Sequence, residues 1–577
     1  MFAAANSRGN QGYAAGRCSP RYPRWMLSRR SRSAPLLALG LAGLLALSSA
    51  GVAHAADPIA PAPTPAVSPA PAAVSPAAAT LERISGADRY ATSVAASQAT
   101  FPGPERPEVV YLVTGRDFPD AIAAGPAATA AGGGLLLTAR DQLPTVVAAE
   151  LERLAPQRIV VVGGVGAISD TVLRAADAIA PAERIGGADR YATAAALVGA
   201  TFTDGAPTVY LATGSGFPDA LAAGPAAGSI GAPIVLVRGT RPALDPATLA
   251  LLSELGTTEV VIVGGTGVVS TGIEAQLAGL LGAEGVRRLG GADRYTTALA
   301  VSQDAFGASP SRIVVASGTG FADALSISVL AARQGLPIAL SLPYCVPSTV
   351  RSALSAPTVA SLVLVGGRGA LSAGIERLQA CQSIGAASSL WVLVNKRNAI
   401  PTSYVPAGMR QPSIPNIGGQ LLRAEAATAL ERMAAGVQAA GVGRIGIASG
   451  YRSGATQAAI YSNGVRNSGQ AYTDLYVARP GHSEHQTGLA ADIYPIGAAN
   501  CSSIGCLGAT PQGRWLAQNS WRYGFILRYE QGMTAVTGYA HESWHFRFIG
   551  TTLAADYASS GHRTYESFLG QPPAPRY

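Results

Sequence analysis

The sequence predicts a multidomain chain in which three α/β repeat units are followed by a separate α+β domain. Three observations carry this. The 577 residues are too many for one core, so about three to five domains are expected. Three motifs recur in phase through the middle of the chain, and four of the six histidines crowd into two short segments near its end. With 48% apolar and 13% charged residues, the balance is that of folded domains and not of a disordered chain.

The chain opens on a targeting segment. From Met26 come Arg29, Arg30 and Arg32, then an apolar run from Leu36 to Leu47, and Ala53-His54-Ala55 fits a signal-peptidase site. Residues 1–55 are expected to be a signal peptide, with Met26 the better start, and the mature protein to be secreted. The apolar run is too short and too rich in small residues for a permanent membrane span. Removing residues 1–56, with seven arginines and no acid, takes the formal net charge from +8 to +1. The basic balance therefore belongs to the leader and gives no ground for nucleic-acid binding. Residues 56–80, rich in Pro, Ala, Ser and Thr, read as a semi-rigid linker.

Cysteine usage agrees with export. Cys18 leaves with the leader, and an even number remains for an oxidising compartment. Cys501 and Cys506 flank a short Ser-Ser-Ile-Gly loop and are expected to pair; Cys345 and Cys381 lie in one repeat and can pair. A metal site is the rival reading, but neither pair has CxxC spacing.

The repeats come next, at 81–181, 182–285 and 286–385. Ile84 to Tyr90 (Ile-Ser-Gly-Ala-Asp-Arg-Tyr) recurs as Ile185 to Tyr191 and Leu289 to Tyr295. Thr114-Gly115 with Phe118-Pro119-Asp120-Ala121 returns as Thr213-Gly214 with Phe217 to Ala220, and as Ser317-Gly318 with Phe321 to Ala324. A third motif, Ile159 to Ser169 with a Gly-Gly pair, returns as Val260 to Ser270 and Leu362 to Ser372. Runs such as Val109–Val113 and Ile159–Val162 predict buried strands, and Asp120–Ala131 and Thr145–Leu154 predict helices. Alternating strand and helix implies a parallel sheet. The Gly-Gly pair and the following helix N-terminus could cradle an anion, but no GxGxxG or GxxxxGK[ST] occurs. Equally, Asp88, Arg89 and Tyr90 could simply hold the unit together. The repeats contain no histidine and no acidic cluster, so catalysis is not expected there.

These motifs resemble the type-two cell-wall-binding repeats of Gram-positive surface proteins. The resemblance implies three units packed together that hold the protein non-covalently on anionic wall polymers. The third copy departs from the pattern: Ala322 stands where Pro119 and Pro218 do, and Ser326-Ile327-Ser328 replaces the Ala-Ala-Gly-Pro stretch.

The chemistry is expected in residues 386–577. One histidine segment is Gly481-His482-Ser483-Glu484-His485-Gln486-Thr487-Gly488-Leu489-Ala490-Ala491-Asp492, and the other runs from Tyr539 through His541, Glu542, Trp544 and His545 to Phe548. The second contains HExxH, which binds zinc only when a helix puts residues i and i+4 on one face. This stretch is aromatic-rich and lies between Gly538 and Gly550, which predicts a strand.

Taken together, SxHxxGxAxD and ExWH resemble the VanY-type D-alanyl-D-alanine carboxypeptidases and their LD-carboxypeptidase relatives. Val394-Asn395-Lys396, Tyr404-Val405-Pro406 and Ser449-Gly450-Tyr451-Arg452-Ser453 with Gln457 add to that likeness. The resemblance implies a zinc site of His485, Asp492 and His545, with a small antiparallel sheet carrying the metal. Two imidazoles and a carboxylate leave a fourth position for water, whose pKa the metal lowers to about 7. Glu542 would serve as the acid–base catalyst, and Arg452 would receive a substrate carboxylate. Gln457 and Ser483 are further substrate-contact candidates, and His482 and His541 are bystanders or support a neighbour.

The expectation is a secreted, cell-wall-associated zinc carboxypeptidase that trims D-alanine from peptidoglycan stem peptides. A peptidoglycan endopeptidase, and a wall-binding protein with a degenerate peptidase domain, are the alternatives. Groove walls decide between carboxypeptidase and endopeptidase, and between DD- and LD-cleavage, and the sequence does not reveal them.

Overall fold

The computed structural model describes residues 79–498, 501 and 503–577. The expected signal peptide, with Cys18 and His54, and nearly all of the linker lie outside the described residues. Among the described residues no helix is long and apolar enough to cross a membrane.

The repeat units are parallel α/β layers, as expected. The strands are β1 (Thr80–Ile84), β2 (Val109–Thr114), β3 (Gly134–Thr138), β4 (Arg158–Val162), β5 (Ala182–Ile185), β6 (Thr208–Thr213), β7 (Ile234–Val237), β8 (Glu259–Val263), β9 (Val286–Leu289), β10 (Arg312–Ser317), β11 (Ile338–Ser341) and β12 (Ser361–Val365). They form three four-stranded sheets in the orders β3-β2-β4-β5, β7-β6-β8-β9 and β11-β10-β12-β1. Each sheet's last strand leads into the next copy's Ala-Asp-Arg-Tyr motif. For the third sheet that strand is β1, from the start of the described chain, so the three units close into a ring.

The motifs make the joints of that ring. Asp88, Asp189 and Asp293 cap the helices Arg89–Thr100, Arg190–Thr201 and Arg294–Phe306, accepting hydrogen bonds from backbone N–H groups of the first turn. The arginine that follows donates to the carbonyl of Gly115, Gly214 or Gly318 in its own unit. Its guanidinium also lies over the phenylalanine of a neighbouring unit: Arg89 over Phe321, Arg190 over Phe118 and Arg294 over Phe217. The three rings meet pairwise, with centroids 5.3, 6.2 and 6.1 Å apart. One apolar core runs through all three units.

The helix expected over Asp120–Ala131 is two pieces, Pro119–Ile122 and Ala124–Ala130, while Thr145–Leu154 is one helix as expected. The unusual Ser328 of the third copy sits in the shared core, where a side chain at Gly125 would meet its Oγ at 2.7 Å. The first glycine of each Gly-Gly pair has positive φ, and at Gly366 (φ +104°) a Cβ would collide with the Asp323 carboxylate. The pair admits a carboxylate of its own unit.

The C-terminal domain holds a short ribbon of β13 (Met409–Arg410) and β14 (Leu422–Arg423), and an antiparallel sheet of β15 (Arg444–Ser449), β16 (Ala490–Ile496), β17 (Phe525–Tyr529) and β18 (Glu542–Phe548), in the order β15-β16-β18-β17. The helix Ala424–Ala439 buries Ala426, Leu430, Met433 and Val437 in the same core as Ile447, Ile493 and Phe546. Both disulfides, Cys345–Cys381 and Cys501–Cys506, are formed. The third repeat packs directly on this domain. Tyr344 stacks on Phe568 at 4.8 Å, and Ser372 donates to Asp556 at 2.9 Å.

Candidate functional site

The aromatic-rich segment is a strand, so the helical HExxH arrangement does not form. Strand pairing brings the carboxylate and one imidazole together instead: Asp492 on β16 lies opposite His545 on β18. Against β17, Leu527 pairs with Phe546 but Tyr529 pairs with Glu542, so β18 carries extra residues between these pairs. A bulge of this kind re-aims side chains, and Glu542 Oε2 comes within 3.8 Å of His545 Nδ1. A second irregularity sets Ser449 opposite Asp492, and Ser449 Oγ accepts from Arg452 Nε at 2.9 Å. His485 arrives on the 3₁₀ turn Glu484–Thr487.

His485, Asp492 and His545 are buried, and one donor atom from each lies within 4.8 Å of the others. The Gly450 carbonyl can only accept, so His485 Nδ1, 2.7 Å away, is the protonated nitrogen and Nε2 keeps its lone pair. Glu484 fixes the opposite tautomer at His545. Its carboxylate lies 3.1 Å from Nε2, which donates, and Nδ1 is left facing Asp492. Asp492 Oδ1, buried without a hydrogen-bond partner, is 3.2 Å from that Nδ1. Two imidazole lone pairs and an unsatisfied carboxylate oxygen fit a divalent cation of zinc's preference. Among the described residues this is the one group of His, Cys, Asp and Glu side chains able to hold a metal.

The charges point the same way. Burial opposes an imidazolium at His545, but the carboxylates of Asp492 and Glu484 beside the ring outweigh it and raise its pKa to about 9. A proton is thus drawn to the place where a metal cation would satisfy the same carboxylates. Burial, aided by the Arg452 charge, lowers His485 to about 4, so this ring is neutral at pH 7. Burial raises Glu542 to about 7, with Asp492 and Glu484 adding to the effect and His545 and Arg452 opposing it. A carboxylate near 7 can both take and return a proton.

The substrate-contact candidates border this centre. Arg452 Nη2 donates to Asp492 Oδ2 at 2.8 Å and lies 3.1 Å from His485 Nε2. Its Nη1 reaches Gln457 Oε1 at 3.5 Å, and Gln457 Nε2 donates to the Ala478 carbonyl. Ser483 is buried at the head of the turn that carries His485. The other two histidines point elsewhere: His541 Nδ1 lies 2.9 Å from the Tyr529 carbonyl, and His482 Nδ1 lies 2.7 Å from that of Asn395.

Sequence reasoning missed Glu484, Arg528, Arg547 and Glu566, a fully buried charged group behind the site. The signal was an arginine inside each of two apolar strands, Phe525–Tyr529 and Glu542–Phe548.

The family model VanY, D-alanyl-D-alanine carboxypeptidase, matches residues 419–551. Cell wall binding domain 2 matches residues 83–173, 184–274 and 288–376. The chain is 34% identical over 186 residues to the putative carboxypeptidase YodJ of Bacillus subtilis, covering 31% of this chain and 67% of that protein. It is 35% identical over 172 residues to a D-alanyl-D-alanine carboxypeptidase of Enterococcus faecalis, covering 28% and 59%. Among solved structures, the vancomycin-resistance D,D-pentapeptidase VanY E175A mutant in complex with Zn(II) is 32% identical, with a TM-score of 0.27, covering 32% of this chain and 99% of that one. The chain thus spans between about half and two thirds of the length of the two curated relatives.

Proposed function

The chain belongs to the VanY D-alanyl-D-alanine carboxypeptidase family and carries three cell wall binding domain 2 repeats, and from that premise we propose a secreted, wall-anchored zinc peptidase that removes the terminal D-alanine of peptidoglycan stem peptides. The observation that carries this reading is the convergence of His485 Nε2, Asp492 and His545 Nδ1 beside Glu542. Zinc held by these three would supply Lewis-acid activation of the scissile carbonyl and a water acidic enough to react near neutral pH.

Glu542, whose carboxylate lies 3.8 Å from His545 Nδ1, takes a proton from the attacking water and returns it to the leaving amine. His485 and His545 are held in fixed tautomers by the Gly450 carbonyl and by Glu484, so neither ring must reorganise. Arg452, on the exposed edge of the centre, offers its guanidinium fork to the substrate's terminal carboxylate. Gln457, oriented through Ala478, steadies that guanidinium.

The repeats are proposed to hold the enzyme on anionic wall polymers. Three linked weak sites raise avidity without new contacts. Full-length Glu542→Ala protein should sediment with isolated walls, and equal binding to walls stripped of anionic polymer would sink the polymer reading.

The reaction is tested by mass spectrometry of defined muropeptides after digestion. Loss of one D-alanine from a pentapeptide marks DD-cleavage, and loss from a tetrapeptide marks LD-cleavage. Cleavage of cross-linked dimers alone would make the enzyme an endopeptidase, and no cleavage of any of these would overturn the proposal.

A further inference from the structure

Behind the ligand set lies a second layer of charge that the proposed reaction does not use. Glu484, Arg528, Arg547 and Glu566 have fully buried side chains. While Glu484 Oε2 takes the His545 Nε2–H, its Oε1 accepts from Arg528 Nε at 2.9 Å and from Arg547 Nη1 at 3.1 Å. Arg528 then closes a two-point pair with Glu566, at 3.0 and 2.7 Å. Asn395 Nδ2 donates to the same carboxylate at 3.1 Å. Two carboxylates and two guanidiniums balance, and removing one leaves its neighbour as an uncompensated buried charge.

Glu566 lies beyond the stretch that the carboxypeptidase family model matches, which ends at 551. It sits on the four-residue helix Tyr565–Phe568, far too short to hold itself in water. Contacts at both ends fix it. Tyr565 donates to the Trp391 carbonyl at 3.0 Å. Phe568 stacks on Tyr344 of the third repeat, whose hydroxyl reaches the Leu569 carbonyl at 3.5 Å. Repeat, short helix, charge network and metal-facing imidazole therefore form one unbroken series of contacts: Tyr344 to Phe568, then Glu566 to Arg528, Glu484 and His545.

We propose that Glu566 is a positioning residue for the metal centre, acting through Arg528 and Glu484 on the His545 ring, and that the third repeat holds it in place through Tyr344. The wall anchor is then also a structural support of the catalytic centre. The inference rests on the metal-centre reading, since it assigns a support to one of the three ligands.

Glu484 is what forces the proton onto His545 Nε2 and frees Nδ1. If Glu566 is neutralised, Arg528 is drawn wholly to Glu484 and the grip on the ring changes, with no atom of the ligand set altered. If Tyr344 is truncated, the short helix loses its outer support while the network's own residues stay intact.

The test uses the full-length chain, with Glu566→Gln and Tyr344→Ala as variants and two readouts. The first is the ¹⁵N spectrum of the histidine rings in zinc-free protein, with His545 assigned by its removal. At a pH high enough to leave the His545 ring neutral, wild type should show a single Nε2-protonated tautomer, and both variants a mixture, with the His485 signals unchanged. The second is the rate at which a colorimetric chelator strips zinc, expected to rise roughly tenfold or more in Glu566→Gln and less in Tyr344→Ala. A wild-type tautomer and wild-type zinc release in both variants would overturn the proposal. If Glu566→Gln does not fold, Tyr344→Ala decides, because it leaves every residue of the charge network in place. A wild type that takes up no zinc would sink the metal reading alone, and the tautomer shift in zinc-free protein would still decide the role of Glu566.

Discussion

Ile84 on β1 lies opposite Val365 on β12, in a parallel register that begins with Thr80 opposite Ser361. A strand at the start of the described chain thereby completes the sheet of the last repeat. Arg83 locks it: its guanidinium donates to the Gly366 and Leu371 carbonyls and pairs with Glu376 at 2.9 Å. Arg184 and Arg288 make the equivalent clasps at the other two joints, with Asp170 and Glu274.

Ring closure should therefore be separable from unit folding. Arg83→Ala removes hydrogen bonds that are only partly exposed, and should lower the urea-unfolding free energy of the repeat module by about 1–2 kcal/mol. Deleting residues 80–84 should do more, leaving the edge of β12 open to pairing with other chains. Light scattering should then show concentration-dependent self-association. A deletion variant that stays monomeric with an unchanged unfolding midpoint would mean that β1 does not close the ring.

The half-buried aspartate of the third repeat gives the module a pH dependence. Burial raises Asp323 from 3.8 to about 6, against the attraction of Arg89, and shifts Asp120 and Asp219 in the same direction. A raised carboxyl takes up a proton on folding, so its favourable contribution is complete below about pH 4 and is lost as pH rises through 6. Asp323→Asn should be more stable than wild type at pH 7 by at most about 3 kcal/mol, and the gap should close towards pH 4. A gap independent of pH between 4 and 7 would refute this.

Much of this was legible in the residues, for identifiable reasons. Strand and helix in the repeats follow from local periodicity, and three copies in phase fix the unit. The candidate ligand set came from the resemblance of SxHxxGxAxD and ExWH to the VanY family, whereas the residues alone offered HExxH at His541 and His545 as a rival, set aside because the aromatic-rich stretch reads as a strand. Ring closure was hidden because Leu81 and Leu362 are partners across most of the module, and no local pattern marks a pairing at that range. The clue lay in Arg83, Arg184 and Arg288, which recur just before each Ala-Asp-Arg-Tyr motif and tie the strand there to the preceding unit's sheet. The charged layer was hidden because an arginine in an apolar strand does not reveal its partner. Glu484, Arg528 and Glu566 come from three separate elements and meet only in the folded domain.

The two disulfides should differ in weight. Cys345–Cys381 spans 36 residues and Cys501–Cys506 spans five. On chain entropy alone the first contributes roughly 3–4 kcal/mol and the second roughly 2. Cys345 is also buried beside Tyr344, in the core shared by the third repeat and the peptidase. Replacing Cys345 and Cys381 by serine should therefore lower the thermal midpoint of both modules, and the same change at Cys501 and Cys506 should move only the peptidase, by less. Thiol labelling of denatured, unreduced mature protein should find no free thiol, and stoichiometric labelling would refute the pairing.

The last prediction concerns which residues hold the metal. A helical HExxH site would need His541 and would give Asp492 no role. On β18, His541 precedes the strand and is tied to the Tyr529 carbonyl, while Asp492 lies directly opposite His545 with a buried, unsatisfied oxygen. Asp492→Ala should therefore lose zinc and activity together, because the two imidazoles alone hold the metal poorly. His541→Ala should keep roughly one zinc per chain, with turnover lowered only through the lost tie to Tyr529. Glu542→Ala should keep its zinc and lose most turnover, since it removes a proton carrier and not a ligand. Elemental analysis beside D-alanine release reads all three. Retention of zinc by Asp492→Ala together with its loss from His541→Ala would exchange the two assignments and overturn the site as described.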